Sequence, residues 1–273
     1  TDNGSYLASN YQLPTLNLTH AAATINAATV SLSGISKTYD GTTNTGNTRM
    51  TISGVNNETL SFSAASYTSK DVSANGSNYL TSLTLADNGS YLASNYQLPV
   101  LNLSNAAATI NKANATVTAN SATVTYNGLT QSVSGFTVSD LVNSETASVL
   151  TGLSEFGGSG QNANSYSHRY SVGSYSGNYN LTFVDGTLTV DKANLTISAN
   201  NASKTYDGTT SLTGAVTLGG LVGSETLTYT GATASNAHVA TTGKYISAIT
   251  LANGSNGGLA TNYALPTLDA NHA

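Results

Sequence analysis

The chain has 273 residues, with 13 Asp and Glu against 8 Lys and Arg, a net charge of −5 and no cysteine. Its length suggests about two to three domains, and its weakly acidic balance gives no electrostatic footprint for nucleic acid. Without thiols there is no disulfide, no thiolate metal site and no cysteine nucleophile.

The first element is a piece of a repeat. Residues 1–26 (TDNGSYLASNYQLPTLNLTHAAATIN) nearly duplicate residues 86–111 (ADNGSYLASNYQLPVLNLSNAAATIN). Residues 1–27 therefore read as the C-terminal tail of a preceding repeat, in a window cut from a longer array. The alternative is that they complete the last unit of a neighbouring molecule as a donated strand.

Three units follow, at 28–112, 113–192 and 193–273. Each opens on a tyrosine turn: Tyr39-Asp40-Gly41, Tyr126-Asn127-Gly128 and Tyr206-Asp207-Gly208. Each continues with a glutamate marker, Glu58, Glu145 or Glu225, set three residues after a valine and before a threonine. Each closes on an Asn-Tyr-x-Leu marker at Tyr96, Tyr179 or Tyr263. When Tyr263 is aligned with Tyr11, Ala273 falls opposite Ala21, so the last unit lacks the closing strand seen as Ala107–Asn111.

Alternation of period two marks half-buried strands: Val30 with Leu32, Val117 with Val124, Leu188 with Val190, Leu195 with Ile197 against Ser198, and Ile246 with Ile249 and Leu251. Asp-Gly and Asn-Gly pairs, including Asp185-Gly186, suggest two-residue hairpin turns between them. About seven short strands in each unit fit an immunoglobulin-like β-sandwich. A β-solenoid is the alternative, but its coils repeat every ~20–30 residues. Only a few residues separate apolar strand positions at the junctions around Lys112 and Lys192. No flexible Gly/Ser or Pro-rich linker intervenes, so the units are expected to stack end to end as a stiff rod. Charged residues make up 8% of the chain, against about 25% in ordinary soluble domains, so little repulsion opposes lateral association through exposed sheet edges. Disorder usually combines low hydrophobicity with high net charge, and the weak charge and the alternation argue against it.

The tyrosine-turn signature with its two companion markers resembles the YDG-type repeats of large secreted bacterial exoproteins. The middle unit, with Tyr126-Asn127-Gly128, resembles the related MBG-type repeat. The resemblance covers essentially the whole chain. It implies an immunoglobulin-like fold and a role in adhesins similar to filamentous haemagglutinin, or in biofilm matrix, often with two-partner secretion. That places the chain outside the cell, on the bacterial surface. The lack of cysteine suits a protein that crosses an outer membrane unfolded.

No reactive constellation emerges, and neither enzymatic activity nor a cofactor is expected. Tyr39, Tyr126 and Tyr206 suggest either sugar-stacking platforms or packing tyrosines with a backbone partner for the hydroxyl; the flanking turn favours packing. Asp40, Asp207 and the Asp2-Asn3-Gly4-Ser5 and Asp87–Ser90 loops hold oxygen ligands, but calcium needs six to eight of them and the acidic residues are spread singly. Lys37 and Lys204 upstream of Glu58 and Glu225 raise intramolecular isopeptide chemistry, against which Val124 replaces the lysine while Glu145 stays. His20, His168, His238 and His272 are scattered. The glycine-rich stretch Gly157–Gly160 reads as a flexible loop. Many Asn-x-Ser/Thr sequons, such as Asn57 and Asn194, could accept glycans.

Two function classes remain. The first is a structural stalk whose partners are neighbouring repeats and, through lateral or head-to-tail self-association, other rods. The second is a multivalent polysaccharide-binding array, with the tyrosine-rich stretches Tyr166–Tyr170 and Tyr175–Tyr179 as its contact loops. No run approaches ~18 apolar residues, so no membrane insertion is expected. No signal peptide opens the sequence, and any signal would lie elsewhere.

Overall fold

A computed structural model describes residue 4 and residues 7–175, 177–197 and 202–271. Asp2, Asn3, Ser5, Ser176, Ser198 and His272, each part of an expectation above, lie outside them. The chain is all-β and divides into two compact units, Thr1–Ala113 and Asn114–Ala273.

In the first unit, residues 21–27 run exposed and without strand pairing. The repeat itself is built from β1 (Ala28–Thr29), β2 (Ser31–Thr38), β3 (Arg49–Ser53), β4 (Thr59–Tyr67), β5 (Leu80–Ala86), β6 (Tyr96–Gln97) and β7 (Thr109–Asn111). Five of these form one sheet in the order β5-β4-β3-β2-β7, and β1 and β6 form a separate parallel pair. The closing strand β7 lies parallel to β2, with Lys37 opposite Ile110. Register shifts between Ser33 and Ser36, where Gly34 has φ +63°. A bulge with a left-handed glycine is the expected device for such a shift. It lets Ile35 join Ile52, Leu60, Leu80, Leu83 and Ile110 in the core.

The second unit begins with a sandwich-like pair of sheets. Its strands are β8 (Ala113–Ala119), β9 (Ala122–Thr125), β10 (Gln131–Ser132), β11 (Phe136–Ser139), β12 (Leu153–Gly157), β13 (Ser159–Gly160), β14 (Asn164–Val172), β15 (Tyr179–Val184) and β16 (Gly186–Asp191). One sheet runs β11-β8-β15 and the other β12-β14-β16-β9. Val117 and Leu188 face inward and are fully buried, as period-two alternation predicts. After Lys192 alone, β17 (Ala193–Asn194) opens the third repeat, which continues with β18 (Leu227–Ala234), β19 (Ile246–Asn253) and β20 (Tyr263–Ala264). One apolar cluster joins Tyr126, Leu188 and Val190 of the middle repeat to Ala193, Leu195 and Tyr263 of the third. No linker separates two cores here, because the packing is continuous across the junction.

Three expectations are corrected. The Asp-Gly and Asn-Gly pairs are not two-residue hairpins. Gly41 and Gly128 have φ +77° and +78°, but they open longer loops in which the Asp or Asn side chain accepts the backbone N–H two residues on. Asp185 lies at a corner, since β15 and β16 belong to different sheets. The Gly157–Gly160 stretch is tightly packed rather than a flexible loop: a Cβ on Gly157 would stand 2.1 Å from the Ser167 carbonyl oxygen, and one on Gly160 would enter the Tyr166 ring. Finally, Tyr166–Tyr170 is not a loop but part of β14, with His168 fully buried.

Candidate functional site

Each glutamate marker sits on the same strained turn. Asn56 and Asn57 have φ +50° and +63°, Asn143 and Ser144 +52° and +58°, and Gly223 +53°. Left-handed backbone favours Asn and Gly, which accounts for the residues filling these gaps. In all three copies the glutamate N–H donates to the valine carbonyl that opens the turn.

The turn presents its glutamate to the tyrosine of the closing marker. Tyr96 donates its hydroxyl to Glu58 at 2.6 Å, Tyr179 to Glu145 at 2.5 Å and Tyr263 to Glu225 at 2.7 Å. The same hydroxyl accepts the valine N–H, from Val55 at 3.2 Å, Val142 at 3.1 Å and Val222 at 3.0 Å. Both hydrogen-bonding roles of each phenol are thus filled, and the Tyr-to-carboxylate bond is of the stronger, charge-assisted kind.

In the second unit this pair becomes a joint. Tyr126 of the middle repeat donates to the other oxygen of Glu225 at 2.5 Å. Its ring meets Tyr263 edge-on, with centroids 5.6 Å apart. One carboxylate of the third repeat therefore accepts a phenol from each of two repeats. Asn262, fully buried beside it, accepts the Ala163 N–H at 2.8 Å and donates to the Asn162 side chain at 3.0 Å. Gly128 closes the contact: a Cβ there would stand 3.1 Å from a Val222 methyl.

Burial, followed by the Glu225 carboxylate, pushes the Tyr126 phenol up to about 12. Burial and the same carboxylate also raise Tyr263. A group whose pKa rises on folding stabilises the folded state fully below its ordinary value. The Tyr126 contribution is therefore complete below pH 10 and is lost as pH rises through about 12. In a tyrosinate absorbance titration, Tyr126→Phe should remove one of the steps near that pH. An unchanged high-pH limb would show that Tyr126 is not held in this way.

The tyrosine turns carry a second recurrent feature. Asp40 accepts the Thr42 N–H and hydroxyl and pairs with Lys37 at 2.8 Å. Asp207 does the same with Thr209 and with Lys204 at 2.6 Å. Burial alone would raise Asp40, but the Lys37 ammonium and the Thr42 donors outweigh it and hold the carboxyl low. The Lys204 and Thr209 donors bring Asp207 down to about 2.

The sequence candidates therefore separate. Tyr39 and Tyr126 are buried, whereas Tyr206 is 58% exposed. The Tyr126 hydroxyl meets a carboxylate of the next repeat, not the backbone partner expected of it. Lys37 donates to Asp40 and to the Thr42 and Asn44 carbonyls, and Glu58 accepts Tyr96, so the two are engaged with other groups. Among the described residues no three His, Asp or Glu side chains come together as a metal site. Sequence reasoning missed the Glu–Tyr pairing, although the joint recurrence of the two markers was its signal. It also missed His168, which sits between the Asn120 carbonyl at 2.8 Å and Glu155 at 2.7 Å and lowers the Glu155 carboxyl.

Comparison with known families matches the YDG domain at residues 19–107 and 191–270, and the MBG domain of YGX type at residues 115–189. No curated protein and no solved structure matches the chain.

Proposed function

The chain belongs to the YDG domain family, with an MBG domain between its two YDG stretches, and from that premise we propose that it is a structural rod segment of a large extracellular bacterial adhesin or matrix fibre. The observation that carries this reading is the Tyr126–Glu225–Tyr263 joint. A stalk must transmit position from one repeat to the next, which requires contacts between repeats rather than a loose tether. Here a single residue, Lys192, separates strands of consecutive repeats. An apolar cluster runs through the junction, and hydrogen bonds from Tyr126 and Asn262 cross it.

The tyrosine-rich stretches weighed as sugar contacts support the same reading. Tyr179 is buried with its hydroxyl on Glu145, and Tyr170 packs against Phe136 and His168. Tyr179 thus has its ring and hydroxyl committed within the protein, and the half-buried Tyr170 has its hydroxyl on Glu155.

The test uses the absence of native cysteine. Spin labels at Ser154→Cys and Thr250→Cys, one on each side of the junction and both exposed, should give one narrow distance distribution that broadens in Glu225→Ala. Antibody against the folded chain should label intact producing cells. A broad distribution in the otherwise unaltered protein would overturn the rod, and labelling only after lysis would overturn the extracellular placement.

A further inference from the structure

Strand β14 of the middle repeat has two unlike faces. Tyr166, His168 and Tyr170 point inward, where Glu155 of β12 meets His168 and Tyr170. Alternation sends Ser165, Ser167, Arg169 and Ser171 to the other side, and all four are exposed. Pairing with β12 sets Ser154 opposite Ser171 and Phe156 opposite Arg169. Pairing with β16 sets Thr187 and Thr189 opposite Ser167 and Ser165. Across β12 and β14 the outer face is therefore covered by hydroxyls, with one large apolar side chain and one cation placed side by side.

That pair is open to a ligand. Phe156 is 54% exposed, although phenylalanine is among the residues most often buried. The Arg169 side chain is 61% exposed. Its Nε donates to the Ser167 hydroxyl at 2.9 Å, and Asp185 stands 3.8 Å from the same nitrogen. The two terminal nitrogens of the guanidinium bond no described residue. A shallow depression of about 350 Å³ lies here, and its lining includes Phe156, Ser167, Arg169 and Ser171.

We propose that this face binds an acidic polysaccharide: a uronate ring stacks its CH face on Phe156, its carboxylate meets the Arg169 guanidinium, and Ser167 and Ser171 exchange hydrogen bonds with its hydroxyls. The ligand class follows from the chemistry of the face. A sugar ring has an apolar CH face and a polar rim, and an exposed aromatic ring beside hydroxyls answers both. The free end of a guanidinium offers parallel donors that match the two oxygens of a carboxylate, which sets acidic sugars above neutral ones. Phe156 and Arg169 sit on paired strands about 5 Å apart, so both reach the same sugar unit. A protein partner fits poorly, since a stable interface takes about 800 Å² a side around an apolar centre, and Phe156 is the one large apolar side chain that β12 and β14 turn outward. The inference goes beyond the rod reading by adding a ligand on the flank of the repeat.

Isothermal titration of the full chain with a short oligogalacturonate should show weak, saturable binding that a neutral glucose oligomer of the same length does not match. Phe156→Ala removes the stacking surface and should weaken it roughly tenfold, whereas Phe156→Tyr should keep it. Arg169→Gln should abolish both the preference for the acidic oligomer and the salt dependence that accompanies it. Because both side chains are exposed, the urea midpoint should stay unchanged in these variants. In the unaltered chain, amide chemical-shift changes on adding the acidic oligomer should centre on Phe156, Ser167, Arg169 and Ser171. No binding of the acidic oligomer, equal binding of the two oligomers, binding indifferent to Phe156→Ala, or shift changes centred on another face would overturn the proposal. None of these outcomes touches the rod, which the spin-label distance across the junction decides separately.

Discussion

Replacing Glu225 with alanine is expected to cost residues 114–273 about 3–5 kcal/mol of stability, because it strands two phenols that each donate to a charged acceptor, and such bonds contribute ~1.5–3 kcal/mol each. The hydroxyls of Tyr126 and Tyr263 belong to buried side chains, so water does not readily replace the carboxylate. Glu58→Ala removes the acceptor of Tyr96 alone and should cost about 2 kcal/mol. Urea unfolding of the full chain measures both. Glu225→Gln keeps an acceptor oxygen and should recover roughly half of the loss, as a neutral acceptor makes the weaker bond. Tyr126→Phe combined with Glu225→Ala should cost less than the sum of the two, since both remove the same hydrogen bond. If Glu225→Ala costs no more than Glu58→Ala, the bond across the junction adds nothing and the stiffness must come from the apolar cluster alone.

Lys37→Met should cost the first repeat about 3 kcal/mol, while Lys204→Met in the third should stay within about 1 kcal/mol. Both lysines pair with an aspartate three residues on. What differs is cover. The Lys37 side chain is 1% exposed, lies with its ammonium 5.4 Å from the centre of the Tyr67 ring, and donates to the Thr42 and Asn44 carbonyls as well as to Asp40. Removing one member of a buried, fully bonded ion pair typically costs about 3–5 kcal/mol; Asp40 keeps some access to water, which places the estimate at the low end. Lys204 and Asp207 are 24% and 56% exposed, and solvent-screened pairs contribute only ~0–1 kcal/mol. Methionine keeps the apolar stem in both cases, so the comparison isolates the charge. Equal losses at the two sites would mean that burial does not govern the pair.

Much of this was legible because the repeats state it three times. The strand faces of β8 and β16 follow their alternation, and the glutamate and tyrosine markers were found as positions. Their partnership was not legible, since Glu58 and Tyr96 are 38 residues apart and only the fold brings them together. The tyrosine turns were misread as hairpins because the aspartate forms its turn with a threonine two residues on, a side-chain device that a dipeptide rule does not contain. Strand β14 escaped notice for another reason. Its inward set is Tyr166, His168 and Tyr170, which alternate correctly but do not look apolar.

The parallel pairing of early and late strands has a mechanical consequence. In the middle repeat β9 and β16 pair over Ala122–Leu188 through Thr125–Asp191, and the chain enters at the Ala122 end and leaves at the Asp191 end. The first repeat repeats the arrangement with β2 and β7. Tension between the two ends of such a repeat drags the paired strands past each other along their length. All the rungs of the ladder then bear the load together in shear, instead of parting one after another as they would if a hairpin were peeled open from its tips.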